Sequence, residues 1–201
     1  MGGQIEFYFD FMSPYAYLGS VGIERVADRH GLSVIWKPML LGISVLKVMG
    51  LKPLPDTPLK ADYIRRDVPR LAAYLGIPFC RARQDTMVSL PSARAFTWLL
   101  DQDATLAKSF GQAVFRAQWA EGRDMSDIGA LTNLVGCMGI EPTDLLAAIE
   151  SNAVKERLKQ HVAESLNRGV FGAPTFIVGD EMFWGADRLP MIEHWIERGG
   201  W

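Results

Sequence analysis

Cysteine is scarce in this chain, and the two that it has are not arranged for joint chemistry. Cys80 and Cys137 lie far apart and form no Cys-x-x-Cys pair, which argues against a disulfide framework or a dithiol site. Arg81 beside Cys80 could lower the pKa of that thiol. We nevertheless expect both cysteines to be inert, with Cys137 acting as a small buried apolar side chain.

Histidine is also rare, and the spacing of the three residues predicts no metal site. His30, His161 and His194 are not spaced with one another or with cysteine in the way that zinc ligands usually are. We therefore expect no bound metal and interpret all three histidines as surface residues.

Long apolar runs and a basic excess are missing as well. No apolar stretch reaches transmembrane length, and the first residues do not resemble a signal peptide, so a cytoplasmic location is the default expectation. The net charge of −2 argues against a nucleic-acid partner. The clusters Arg65-Arg66 with Arg70 and Arg81 with Arg83 are interpreted as solvated faces.

The N-terminal segment predicts a strand, a helix and a second strand. Apolar residues alternate with others over residues 5–10, which is typical of a strand. Ser13 is a favourable helix N-cap, and Pro14 suits the first helical position. The helix is predicted to end near His30, before a second strand over residues 32–37.

The middle of the chain is predicted to be helical after an irregular connection over residues 42–58. A first helix ends at Gly76, and Pro69 within it predicts a kink or a break. Further helices are predicted at about 91–101, 104–120, 126–138, 142–150 and 152–168.

The last segment predicts a hairpin of residues 175–178 and 181–184, then a helix over 188–198 with Asp187 as its N-cap. Neither strand pair could bury both of its faces alone, so we predict one mixed sheet of α/β class. Residues 1–40 and 169–201 would form one domain, and residues 41–168 an inserted helical domain.

The junction between the first strand and its helix resembles the place where thioredoxin-like proteins carry Cys-x-x-Cys. Ser13 and Ala16 stand where the two cysteines would be. A thiol-handling site without its own thiols predicts a protein that activates the sulfur of another molecule, and glutathione is the first candidate. As an isolated residue, Ser13 would be read as a plain cap, and the two roles are compatible.

Three motifs together resemble the kappa-class glutathione transferases and, among them, the bacterial 2-hydroxychromene-2-carboxylate isomerases. They are Phe-Tyr-Phe-Asp-Phe-Met-Ser-Pro-Tyr at residues 7–15, Gly-Val-Phe-Gly-Ala-Pro-Thr-Phe at 169–176 and Phe-Trp-Gly-Ala-Asp-Arg-Leu at 183–189. The order of elements extends this resemblance over essentially the whole chain. It implies a thioredoxin-like core with a helical insertion, as in the related DsbA-type thiol oxidases.

The resemblance also implies a set of glutathione-binding residues in which Pro174 follows a cis peptide bond. Ala173 would pair its backbone with the cysteinyl part, the Trp-Gly-Ala-Asp motif would hold the γ-glutamyl end, and Lys60 would lie near the glycyl carboxylate. The implied residues are Ser13, Lys60, Ala173, Trp184, Gly185, Ala186 and Asp187.

Several of these residues have a simpler interpretation, and two positions depart from the family pattern. Lys60 could be an ordinary solvated lysine, and Trp184 could be a core side chain that offers only its backbone. Leu51 occupies the place of a family asparagine that contacts glutathione, so that contact is absent. Ala186 stands where relatives often have Ser or Asn, which leaves only a backbone contact there.

The activity implied by the resemblance is glutathione-dependent interconversion of 2-hydroxychromene-2-carboxylate and trans-o-hydroxybenzylidenepyruvate, with Ser13 stabilising the thiolate. This step belongs to naphthalene breakdown, and relatives are often homodimers. An aromatic-acid pocket is expected between the core and the helices. The alternatives are a kappa-class transferase that conjugates glutathione to an electrophile, a glutathione-binding protein without catalysis and, disfavoured by the missing cysteine, a DsbA-like oxidoreductase.

Overall fold

The strands and helices follow the order expected from the sequence, and the fold is of the expected α/β class. The computed structural model describes residues 3–80 and 88–201. The strands are β1 (Gln4–Phe9), β2 (Ser33–Pro38), β3 (Thr175–Val178) and β4 (Glu181–Trp184). The α-helices are α1 (Pro14–His30), α2 (Lys60–Leu75), α3 (Leu90–Leu100), α4 (Ala104–Phe115), α5 (Ile128–Cys137), α6 (Pro142–Glu150), α7 (Asn152–Asn167) and α8 (Leu189–Arg198).

Shorter helical turns complete the chain between these elements. A π-helical turn, Gly42–Val48, and a 3₁₀ turn, Leu54–Asp56, occupy part of the stretch predicted to be irregular. A second π-helical turn, Arg116–Ala120, continues α4. Of the kink or break predicted at Pro69, the break is wrong because α2 runs through this residue, and the kink stays a prediction. Within the described ranges, no helix combines the length and apolar character needed to cross a membrane.

The sheet is mixed, and β1 lies inside it. The strand order is β2-β1-β3-β4, with β1 parallel to β2 and antiparallel to β3, and with β3 antiparallel to β4. Phe7 is paired with Trp36 on one side and with Phe176 on the other. Its ring centroid lies 5.0 Å from that of Trp36 and 5.4 Å from that of Phe176, so aromatic contacts follow the backbone pairing across three strands.

The helices between β2 and β3 share a core with the sheet. Phe9 at the end of β1 is fully buried, and its ring centroid lies 5.0 Å from that of Phe96 on α3 and 5.7 Å from that of Phe115 on α4. The indole Nε1 of Trp119 donates to the Phe11 carbonyl at 3.0 Å. These helices therefore fix the segment that follows β1, and the division into two domains stays a prediction.

The expectation for Cys137 is wrong, because this residue is exposed. The buried face of α5 carries Leu131 and Val135, and Cys137 follows Val135 by two positions, which places it on the other side of the helix. Cys80 is exposed too. Arg81 and Arg83, interpreted above as solvated, lie outside the described residues.

His161 is another correction, since only 16% of its side chain is exposed. It follows Leu158 by three positions on α7 and so lies on the face of the helix that carries Val154, Leu158 and Val162. Burial lowers the pKa of the His161 imidazole. The interpretation of His161 as a surface residue was wrong because it rested on the residue type and not on the face of the helix that the residue occupies.

Asp187 is not the N-cap of the last helix. It lies in a 3₁₀ turn, Ala186–Arg188, and α8 begins at Leu189 with no side-chain cap. Pro190 occupies the second position of α8 and has no N–H to be capped. The Asp187 carboxylate therefore does not cap α8.

Replacement by alanine should change the free energy of unfolding in opposite directions at two helical glycines. A Cβ at Gly111 on α4 would lie 2.9 Å from Trp36 Cζ3 and 3.2 Å from Phe96 Cε2, whereas at Gly136 on α5 the nearest atom would be 3.9 Å away. We expect Gly111→Ala to lower the free energy of unfolding by about 1–2 kcal/mol because the aromatic core must shift. Gly136→Ala should raise it by about 0.4–1 kcal/mol. Urea unfolding measures both, and equal stability of the Gly111 variant and the parent would contradict the packing described here.

Candidate active site

Ser13 caps α1, as its sequence position predicts. Its Oγ accepts a hydrogen bond from the Ala16 N–H at 3.1 Å, and its backbone is extended, with Pro14 next to it at the start of the helix. The Ser13 N–H donates to the Asp10 carbonyl at 3.0 Å, which closes a tight turn after β1. Only 5% of Ser13 is exposed, so both its backbone and its hydroxyl are held in a sheltered position.

The Ser13 hydroxyl also contacts the loop before β3. Its Oγ donates to the Ala173 carbonyl at 3.1 Å, and the Ala173–Pro174 peptide bond is cis, as the resemblance implied. The Pro174 carbonyl accepts a hydrogen bond from the Gly185 N–H at 3.0 Å. The structure thus brings together the predicted site residues from three separate parts of the chain.

Trp184 is half-exposed at this site, so the alternative of a core side chain for it is wrong. Its ring centroid lies 5.0 Å from that of Phe171. A Cβ at Gly172 would lie 2.6 Å from the Trp184 Nε1, so the indole lies directly over that glycine. The absence of a side chain at Gly172 is what allows Trp184 to cover the proline loop.

The Gly185-Ala186-Asp187 turn presents a carboxylate to solvent. Gly185 has a φ of 114°, a backbone conformation that favours glycine, and a Cβ there would also displace the Asp187 carboxylate. Ala186 is buried. The side chain of Asp187 is 60% exposed, and its Oδ2 lies 3.4 Å from Arg188 Nη1.

Lys60 is placed less directly than the other predicted residues. It is the exposed first residue of α2, a helix that meets α1 where the Tyr15 hydroxyl donates to Asp67 Oδ2 at 2.8 Å. Burial, and then the bond to Asp67, raise the pKa of Tyr15. Lys60 precedes Asp67 by seven residues, which is about 10 Å along the helix. Among the described residues, no hydrogen bond or ion pair joins Lys60 to Ser13 or Ala173.

Asp10 is the site-supporting residue that the sequence reasoning missed. Its side chain is 2% exposed and accepts hydrogen bonds from the Met12 N–H at 3.1 Å and the Leu41 N–H at 2.8 Å. Burial raises the pKa of the Asp10 carboxyl, against the effect of its hydrogen bonds from Ser89, Leu41 and Met12. The sequence does contain a signal for this residue, because Asp10 is a carboxylate that directly follows the apolar strand β1 and precedes the N-cap Ser13 by three positions.

The hydrogen bonds of Ser13 limit the chemistry of the site. In the described part of the chain, its Oγ bonds to the backbone groups of Ala16 and Ala173 and not to an imidazole or a carboxylate. A serine nucleophile needs an adjacent general base. The arrangement instead suits a hydroxyl that donates a hydrogen bond to an anion at the N-terminus of α1.

The structure brings one histidine close to carboxylates, which its sequence spacing did not indicate. Ligand atoms of His30, Glu193 and Glu197 lie within 4.8 Å of one another. Arg29 Nε already forms an ion pair with Glu193 Oε1 at 2.6 Å. We interpret this cluster as a set of polar contacts that hold α1 against α8.

Comparisons with known proteins agree with this geometry. The family profile of the DSBA-like thioredoxin domain matches residues 4–197. A Pseudomonas putida protein named 2-hydroxychromene-2-carboxylate isomerase is 30% identical over 192 residues, which cover 94% of this chain and 92% of that protein. The Caenorhabditis elegans glutathione S-transferase kappa 2 is 25% identical, with 96% and 91% of the two chains covered.

A solved structure extends the similarity to three dimensions. The structure of a selenomethionine 2-hydroxychromene-2-carboxylate isomerase superimposes with a TM-score of 0.85 at 29% identity, and the match covers 97% of this chain and 95% of that one. The chain therefore belongs to the DsbA-like thioredoxin-domain family and, within it, to the family of the 2-hydroxychromene-2-carboxylate isomerases and kappa-class glutathione transferases.

Proposed function

We propose that this protein is a glutathione-dependent isomerase that interconverts 2-hydroxychromene-2-carboxylate and trans-o-hydroxybenzylidenepyruvate. The observation that carries the proposal is the Ser13 hydroxyl at the N-terminus of α1, beside the Ala173 carbonyl and in a place where a dithiol enzyme would have cysteine. The names of the relatives at about 30% identity supply the reaction.

The role of Ser13 is to stabilise a thiolate. A free thiol has a pKa of about 8.5, and lowering it by two units requires about 2.7 kcal/mol of preferential stabilisation of the anion. A hydrogen bond to a charged group contributes about 1.5–3 kcal/mol. A helix N-terminus adds about 0.3–1 kcal/mol. The Ser13 hydroxyl is therefore the larger of the two contributions, and their combined range of about 1.8–4 kcal/mol includes the amount required.

Ser13 can reach a thiolate by exchanging one hydrogen-bond partner. Its Oγ keeps the Ala16 N–H as a donor, while the O–H turns away from the Ala173 carbonyl toward the sulfur. The Ala173 carbonyl then becomes free to accept an N–H from the cysteinyl part of the peptide. Binding of the ligand thus replaces one internal hydrogen bond with two intermolecular ones.

The remaining predicted residues would hold the two ends of glutathione, and their chemistry fits it. The exposed Asp187 carboxylate suits the γ-glutamyl ammonium, and the backbone of the 184–186 segment lies beside it. Lys60 would pair with the glycyl carboxylate. Since Leu51 replaces the family asparagine, the hold on the peptide backbone depends more on Ala173 and on the γ-glutamyl end.

When bound, glutathione supplies a nucleophilic sulfur that adds reversibly to the electrophilic carbon of the chromene acid and permits ring opening and bond rotation. Substrate and product have the same composition, so glutathione is returned at the end of each turnover. The Ser13 hydroxyl serves both directions, because it stabilises the sulfur anion on addition and again on release.

A conjugating kappa-class transferase is the second candidate, and the relative from Caenorhabditis elegans favours it. The same hydroxyl would activate glutathione for attack on an electrophile, and glutathione would then be consumed. The two functions differ in the pocket for the second substrate. The two cavities described in the structure, one beside β4 and one between α3, α6 and α7, are not lined by Ser13 or Ala173, so the acid pocket stays a prediction.

The setting of the enzyme also stays a prediction. The resemblance implies aromatic-compound breakdown, a cytoplasmic location and a homodimer. Exposed apolar side chains on the connection from β2 to α2, Val48, Leu51 and Leu59 among them, offer a surface that a second copy could cover. The mass of the protein in solution, measured by light scattering, checks the subunit count.

Replacement of Ser13 by alanine should impair thiolate formation while the fold remains. Loss of about 1.5–3 kcal/mol of charge-assisted hydrogen bonding should raise the pKa of bound glutathione by about one to two units. Turnover at neutral pH should then fall by about ten- to a hundredfold. Thiolate absorbance titrated with pH measures the pKa.

The matched control is Ser151→Ala, because Ser151 caps α7 through a hydrogen bond from the Val154 N–H at 3.2 Å. It loses a cap of the same kind, worth about 1 kcal/mol, without touching the site. Identical titrations of the Ser13 variant and the parent would mean that Ser13 is only a cap.

Asp187→Asn should weaken glutathione binding by about 1.4- to fivefold, since an exposed ion pair contributes about 0.2–1 kcal/mol. Lys60→Gln should have an effect of similar size if Lys60 pairs with the glycyl carboxylate. Asp180→Asn, on the exposed turn between β3 and β4, is the control. Calorimetric titration measures the dissociation constants, and an unchanged affinity in the Asp187 variant would remove that residue from the site.

Substoichiometric glutathione should support complete conversion of the chromene acid, with the free-thiol count unchanged at the end. This outcome follows because an isomerase returns its nucleophile. Absorbance of the substrate and a thiol assay measure both quantities. Disappearance of thiol one-for-one with an added aryl electrophile, together with an untouched chromene acid, would establish the transferase instead.

A further inference from the structure

The Asp10 carboxylate is the most thoroughly bonded buried group near Ser13. Oδ1 accepts the Met12 N–H at 3.1 Å, and Oδ2 accepts the Leu41 N–H at 2.8 Å. The nearby Ser89 side chain also favours the charged form of this carboxyl and lowers its pKa. The side chain of Ser89 makes no capping bond to α3, although Ser89 precedes that helix. Its hydroxyl is therefore available to the carboxylate.

These bonds join three parts of the chain at one point. Met12 belongs to the turn that carries Ser13, Leu41 begins the connection that follows β2, and Ser89 lies at the start of α3. The backbone of Asp10 contributes as well, because its carbonyl accepts the Ser13 N–H at 3.0 Å. Both the carbonyl and the carboxylate of Asp10 thus hold the turn on which the Ser13 hydroxyl depends.

We propose that Asp10 is a positioning residue for the Ser13 hydroxyl, acting by fastening the turn after β1 to Leu41 and Ser89. This inference rests on the proposed function, in which Ser13 stabilises the thiolate of bound glutathione. The carboxylate fixes the Ser13 backbone relative to the helices. The hydroxyl is then preorganised to donate its hydrogen bond to the sulfur.

When Asp10 is made neutral, loss of its charge and loss of its positioning role should shift the pKa of bound glutathione in opposite directions. A buried carboxylate near the sulfur disfavours a second negative charge, so removal of its charge alone would lower the pKa of the bound thiol. Loss of the anchored turn would raise that pKa, because the Ser13 hydroxyl would be less well placed. The sign of the shift in a neutral variant therefore separates the two effects.

Asp10→Asn is the test, because the amide has the shape of the carboxylate but its NH₂ group cannot accept a hydrogen bond. The N–H groups of Met12 and Leu41 bond to different carboxylate oxygens, so one of these two backbone groups loses its partner. We expect the pKa of bound glutathione to rise by half a unit or more, which is about threefold less thiolate below that pKa. The turnover number should fall by a similar factor.

The matched control is Asp103→Asn, since Asp103 Oδ1 also accepts two backbone N–H groups, those of Thr105 at 2.7 Å and Leu106 at 3.1 Å, but on the exposed end of α4. It should leave the thiolate titration unchanged. Ser89→Ala keeps the carboxylate and both backbone donors, and should give a smaller shift of the same sign. It keeps the proposal testable if Asp10→Asn fails to fold.

A double variant shows whether Asp10 acts through Ser13. If it does, Asp10→Asn should raise the pKa of bound glutathione in the parent but not in the Ser13→Ala background, where only the loss of charge remains and lowers that pKa. An equal shift in both backgrounds, no shift, or a lowered pKa in folded Asp10→Asn protein would overturn the positioning role. A Ser13→Ala titration identical to that of the parent would instead overturn the proposed function, and this inference with it.

Discussion

The hydrogen bond from Ser13 Oγ to the Ala173 carbonyl joins residues 160 positions apart, and the site is arranged around it. It can form because β1 and β3 are neighbours, with Tyr8 paired to Thr175, so that the turn after β1 and the loop before β3 lie side by side. The same loop holds the Gly185 turn through the Pro174 carbonyl. Sheet pairing therefore sets the distance between the Ser13 hydroxyl and the backbone groups of the loop before β3.

Serine, and not cysteine, stands at the start of α1 in this chain. A cysteine at the start of α1 would itself be the reacting sulfur, and the helix end would lower its pKa. Serine in that place keeps the helix cap and the hydrogen bond but cannot exchange disulfides. The role proposed for Ser13 is to stabilise a sulfur anion brought by another molecule, which both an isomerase and a conjugating transferase would require.

The helices between β2 and β3 support this site through a dry aromatic core and a few polar bonds. Phe9 packs against rings from α3 and α4, and the Trp119 indole donates to the carbonyl of Phe11, inside the turn that leads to Ser13. These contacts act through packing, because a closely packed interior deforms little and passes on any displacement of a helix. The position of the helices is thus coupled to the hydroxyl on which the proposed chemistry depends.

The sequence alone determined the order of the elements, the Ser13 cap, the hairpin and the family resemblance, because these depend on local periods and motifs. It misplaced Cys137, His161 and Asp187, for which the face of a helix or the start of a turn decides the environment. It missed Asp10 entirely. Only the tertiary structure decided which distant N–H groups meet that carboxylate and which carbonyl meets Ser13, since long-range partners leave no periodic trace in a single chain.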